Sequence, residues 1–165
     1  MGPLLLTSFY LSPIWGGSRI ARTRGIDWSD DDRHGEAFDV SAHPTTMGVV
    51  RNGPCDGMTL ADAIASYHQE ILGDVPDDAP LQVTFMDPVE TLSVQVHPSE
   101  EYAQAAEGDH GKVEAWYVLD AEPGAQLACG FSHEVTKQQV RDAVSRGDLN
   151  RYLNHTSVHR GDVFF

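Results

Sequence analysis

A change of hydrophobic period part-way along the chain constrains its fold more than any other feature. Leu60, Ile64, Tyr67 and Ile71 recur at helical spacing, whereas Leu92, Val94 and Val96 alternate with Ser93, Gln95 and His97. A period of two sends successive side chains to opposite faces of a sheet. Residues 111–119 read the same way, with Val113, Ala115, Tyr117 and Leu119 on one face and Lys112, Glu114 and Trp116 on the other. Gln126 to Phe131, introduced by Glu122-Pro123-Gly124, is a third expected strand, and Val163-Phe164-Phe165 a further one. Turn formers crowd residues 1–58, at Gly16-Gly17, Ser29 to Asp32, Asn52-Gly53-Pro54 and Asp56-Gly57, with short apolar pieces between them. The pattern predicts a mostly β fold with a minor helical component.

Two helical stretches make up that component. Thr59 caps the first, with Asp62 three residues on, and Gly73 and Pro76 end it. The second holds Val140 and Val144, with Leu149, Tyr152 and Leu153 beyond Gly147. Residues 74–80 read as a polar loop. No repeat divides the 165 residues, and a chain of this size buries about 70% of its unfolded surface as one domain. A single domain over 1–165 is the expectation, and an incomplete one, since the sequence stops inside the apolar run Val163-Phe164-Phe165.

Charge narrows the partners. Eleven Lys and Arg against 25 Asp and Glu give a formal charge of -14, which repels phosphate backbones and argues against nucleic acid. An anionic small substrate would need local positive charge at its site. Cys55 and Cys129 form neither a disulfide framework nor a CxxC pair. The Met1-Gly2-Pro3-Leu4-Leu5-Leu6 start lacks a basic region, and no apolar run approaches the ~20 residues of a membrane span. A cytoplasmic protein with no membrane partner is expected.

The chemistry-bearing residues lie in the alternating segments. Gln95 and His97 are two apart and so share one strand face, and Glu114 follows seventeen residues later with Lys112 beside it. Imidazole and carboxylate are good ligands for a divalent metal, zinc most commonly, and an amide oxygen fills a further position. A structural histidine and a solvated glutamate account for the same pattern. His155 and His159 precede the last expected strand, in a polar turn, and are weak substitutes as ligands. His110 reads as a loop residue, and Asp30-Asp31-Asp32 as a solvated loop. Gly108 to Lys112 lacks P-loop spacing. Trp15 and Trp116 suit either a sugar pocket or the core.

The wording around these residues adds to that reading. Leu92-Ser93-Val94-Gln95-Val96-His97-Pro98 and Gly111-Lys112-Val113-Glu114-Ala115-Trp116-Tyr117-Val118-Leu119 resemble the metal-binding core of the zinc-dependent class I phosphomannose isomerases. Gly35 to Pro44 is similar to that family's Gly-Glu-x-Trp-x-x-Ser-x-His-Pro segment, and Pro13-Ile14-Trp15-Gly16-Gly17 to its Trp-Gly-Gly element. The tail Arg160-Gly161-Asp162-Val163-Phe164-Phe165 resembles the strand leading into the family's next ligand loop. The short linker over residues 133–154 is closer to the shorter bacterial members.

The resemblance implies a cupin-like jelly-roll or barrel, with Gln95, His97 and Glu114 as ligands of one Zn2+ per chain and Lys112 as a substrate-side cation. It implies an isomerase that interconverts mannose 6-phosphate and fructose 6-phosphate. The family's further His ligand, in a Gly-Thr-x-His-Ala loop, and its active-site arginine have no counterpart within these 165 residues. Two positions depart from the family: Phe38 stands where Trp is usual, and Thr84 where many members have Lys. The alternative is a non-catalytic cupin module, either sugar-binding or an isomerase remnant. A cupin oxygenase is disfavoured, because Pro98 and Ser99 follow His97 where a second His would be needed.

Overall fold

Antiparallel pairing governs every sheet of the structure, a computed structural model that describes residues 1–27, 33–75 and 82–165. The expected Asp30–Asp32 loop and most of the 74–80 loop lie outside those residues. The chain divides into two compact units, Met1–Val94 and Gln95–Phe165, described in turn.

In the first unit, β1 (Phe9–Leu11) is followed by α1 (Arg19–Arg24) and β2 (Glu36–Val40). Next come α2 (Leu60–Ser66), α3 (His68–Ile71) and β3 (Val83–Met86). The three strands form one sheet in the order β1-β2-β3, pairing Phe9 with Phe38 and Phe38 with Thr84. Arg24 ties α1 to this sheet. Its guanidinium donates to both Asp39 oxygens at 2.8 Å, to Ser8 Oγ at 2.9 Å and to Tyr10 Oη at 3.1 Å. The Asp39 hydrogen bonds raise the Arg24 pKa above its ordinary value, against the opposing effect of burial. The core gathers on Val50, Cys55 and Ala63, all fully buried, with Leu4, Leu6, Met58, Tyr67 and Ile71 packed around them.

The Trp15-Gly16-Gly17 element is first of all a packing device. Gly16 bridges Pro88, and a Cβ on Gly16 would stand 2.7 Å from Gly35 Cα, closer than side chains tolerate. The Thr59 cap is present: its Oγ1 accepts the Asp62 N–H at 3.0 Å. The expected single helix is instead two, because the backbone leaves helical geometry at Tyr67 (φ -136°), whose ring packs on the core.

The second unit holds α4 (Glu100–Ala106), β4 (Trp116–Tyr117), β5 (Gln126–Phe131), α5 (Lys137–Arg146), β6 (Leu153–Ser157) and β7 (Val163–Phe164). β5 and α5 occupy the expected stretches, and α5 ends at Gly147 in the left-handed region (φ 71°). Sheet β4-β7 pairs Trp116 with Phe164, and sheet β5-β6 pairs Ala128 with His155.

Two strand expectations are corrected. Residues 92–97 form no strand, and of 111–119 only Trp116–Tyr117 pairs. A strand exists only where its N–H and C=O groups meet a neighbouring ladder, and no described segment supplies one to residues 92–97 or 111–115. The expected sharing of a strand face by Gln95 and His97 fails for the same reason. The apolar alternation does not point inward either: Val96 is 89% and Val113 84% exposed. The described residues close no barrel; their sheets have three, two and two strands, and five α-helices accompany them.

Candidate functional site

Within the second unit, one excursion of the chain brings together residues seventeen apart. His97 and Pro98 lead into Ser99, whose Oγ accepts the Tyr102 N–H at 3.4 Å and caps α4. Glu100 and Glu101 in the first turn face the partly positive N-terminal end of the helix. Gly108, in the left-handed region (φ 66°), turns the chain back after α4. The returning loop is fastened to the start of the helix: Glu100 Oε2 accepts the Gly111 N–H at 2.7 Å, and Oε1 lies 3.1 Å from His110 Nδ1. Glu100 Oε1 also accepts from Gln104 Nε2 at 3.0 Å. The Gly111 amide, then Gln104 and His110, hold the Glu100 carboxyl below the usual carboxylate pKa. No larger residue fits at 111, since a Cβ there would stand 2.6 Å from Glu100 N and 2.8 Å from its Cα.

Fixed in this way, the loop returns Lys112 and Glu114 to His97. His97 Nε2 is 2.5 Å from Glu114 Oε2, and Lys112 Nζ is 3.5 Å from Glu114 Oε1. An ionised carboxylate only accepts hydrogen bonds, so Nε2 carries the proton in this contact. All three side chains are partly exposed, at 30% for His97, 29% for Glu114 and 44% for Lys112, so water and small solutes reach them. Imidazole, carboxylate and ammonium share one spot, a combination suited to holding a cation and an anionic ligand side by side.

The donor types fit a divalent metal. Two such donors on one tetrahedral zinc stand about 3.3 Å apart at ordinary bond lengths, so holding an ion between His97 and Glu114 means opening the pair slightly and displacing the Nε2 proton. Among the described residues, no group of three or more His, Cys, Asp or Glu converges at such a spacing. A third donor from this part of the chain would be Gln95, which is exposed two positions before His97. His155 sits on β6 rather than in a polar turn, its Nε2 3.3 Å from the Asn150 carbonyl. His159 is held to Asp162, whose Oδ2 accepts its N–H at 2.7 Å. Trp15 and Trp116 are half-buried.

The model of the family described as phosphomannose isomerase type I, catalytic domain, matches residues 4–135. The chain belongs to this family. It is 38% identical over 165 residues to the mannose-6-phosphate isomerase of Streptococcus mutans, covering 99% of this chain and 51% of that protein. It is 33% identical over 168 residues to mannose-6-phosphate isomerase ManA of Bacillus subtilis, with the same 99% and 51% coverage. The crystal structure of the mannose 6-phosphate isomerase from Bacillus subtilis superposes with a TM-score of 0.87 at 32% identity, over 99% of this chain and 52% of that one. The chain thus spans about half the length of the phosphomannose isomerases it matches. Within this family member, the two positions that depart from the expected motifs, Phe38 and Thr84, are cross-strand partners on β2 and β3.

Sequence reasoning reached His97, Glu114 and Lys112 but missed Glu100, Gly111 and the helix between them. Ser99 followed by Glu100 and Glu101 was the available signal, a cap residue with acidic residues in the first turn.

Proposed function

We propose that this chain belongs to one zinc-dependent, cupin-like catalytic domain that interconverts mannose 6-phosphate and fructose 6-phosphate in the cytoplasm. The observation that carries this reading is the meeting of His97 Nε2 with Glu114 Oε2 at 2.5 Å in a member of the phosphomannose isomerase type I family. In this reading His97, Glu114 and Gln95 hold one Zn2+ per chain. When bound, the ion supplies Lewis acidity to the sugar oxygens at C1 and C2. The reaction moves a proton between those carbons through an enediol. His97 and Glu114 would be held ready by their mutual hydrogen bond, and their partial exposure admits the sugar. Lys112 places an ammonium 3.5 Å from Glu114 Oε1, local positive charge for a phosphate or enediolate on a chain whose formal charge is -14.

Similarity to proteins called mannose-6-phosphate isomerase along 99% of the chain supports a catalytic domain over a non-catalytic sugar-binding module. The surplus of acidic residues weighs against nucleic acid as a partner. Among the described residues no helix is long and apolar enough to cross a membrane.

The test is conversion of mannose 6-phosphate to fructose 6-phosphate by the protein that carries this sequence, with zinc supplied, in the parent and in Glu114→Gln. We expect turnover in the parent and its loss by about 10²-fold or more in the variant. Equal turnover in both would exclude Glu114 from the site.

A further inference from the structure

Gly111 approaches the first turn of α4 more closely than any side chain allows, and Glu100 fastens it there. The Glu100 carboxylate accepts the Gly111 N–H at 2.7 Å while a Cβ on residue 111 would meet the Glu100 backbone at 2.6 Å. One residue beyond this contact is Lys112 and three beyond is Glu114; three residues before it in the other direction, His97 precedes Glu100. Residues 111–115 have no sheet ladder among the described residues to fix them. The fastening at Gly111 therefore anchors them at the helix end, as the pairing of Trp116–Tyr117 with β7 does at the other.

We propose that Glu100 is a positioning residue, clasping the returning loop so that Glu114 and Lys112 meet His97. The consequence for metal rests on the function proposed above; the positioning itself does not. Removing the carboxylate releases the Gly111 amide and takes one partner from the His110 ring. The loop then samples positions in which Glu114 no longer reaches Nε2, and the imidazole loses the partner that fixes its tautomer. A glutamine retains an oxygen that accepts the Gly111 N–H and so keeps most of the clasp.

The experiment compares the 165-residue chain with E100A, E100Q, G111A and S99A. Two quantities are read: the 15N shifts of the His97 ring without added metal, and the zinc Kd by chelator competition. In the parent, His97 should show the Nε2–H tautomer. E100A and G111A should move the shifts toward the mixed tautomers of an unpartnered imidazole and weaken zinc by about tenfold or more, as loss of a group that orients a metal ligand usually does. E100Q should stay within about threefold of the parent, well below the roughly tenfold or more expected for full loss. S99A removes the cap on α4 but leaves the clasp, so it should lower Tm and leave both readings at parent values. Parent-like shifts in E100A and G111A would overturn the proposal, as would S99A reproducing their effect. Shifted His97 signals in E100A and G111A, in a chain whose parent does not take up zinc, would uphold the positioning role and count against the metal reading alone.

Discussion

Lys112 is the residue whose contribution separates chemistry from stability. It pairs with Glu114 at 3.5 Å but is 44% exposed, and exposed ion pairs add little to folding. Lys112→Met should therefore leave Tm and zinc content nearly unchanged while lowering kcat/KM for mannose 6-phosphate by about 10²-fold. Steady-state kinetics beside a melting curve check this, and an unchanged kcat/KM would reduce the lysine to a surface charge. At this scale the sequence was informative, because residue type declares chemistry: an imidazole, a carboxylate and an ammonium in matched motifs point to one site. The route by which they meet was not legible. Alternation suggested two strands side by side, whereas the structure uses a helix and a return loop between His97 and Glu114.

Elements with local signals were the legible ones. The Thr59 cap of α2 and the Gly147 end of α5 depend on neighbours a few residues away, and both are present. The strand expectation for 92–97 failed because its decisive term, a ladder partner, is not local in sequence. In α5, Thr136 and Gln139 form a reciprocal cap, with Thr136 N–H donating to Gln139 Oε1 at 2.8 Å and Thr136 Oγ1 accepting the Gln139 N–H at 3.2 Å. Thr136→Ala should lower stability by about 1 kcal/mol, read by denaturant unfolding; no change would mean that α5 frays in the parent. The clasp on α4 carries a pH dependence. Glu100 has a lowered pKa in the folded chain, first through the Gly111 amide, so its contribution is present above the unfolded value of about 4.3 and is lost as pH falls through the lower folded value. Hydrogen exchange at the Gly111 amide should quicken, relative to its intrinsic rate, as acid passes that range in the parent. In E100Q, which has no proton to take up, the ratio should stay flat.

For the molecule as a whole, two surface properties oppose each other. A formal charge of -14 favours separate chains in solution. Large apolar side chains nevertheless stand in water: Tyr117 and Val163, cross-strand partners on β4 and β7, are 61% and 65% exposed. Exposed apolar surface on a short two-stranded edge promotes association. The 165-residue chain should therefore elute from size exclusion as a concentration-dependent mixture, and Val163→Glu should shift it toward monomer. A monodisperse parent at all concentrations would show that this face does not associate. Zinc per chain after saturation and brief desalting reads out whether His97 and Glu114 are the metal-holding pair of this phosphomannose isomerase family member. Bound zinc is expected in the parent, with its loss in His97→Ala and in Glu114→Ala and a smaller loss in Gln95→Ala, whose neutral amide is the weaker donor. Zinc content equal to the parent in both the His97 and Glu114 variants would contradict that role.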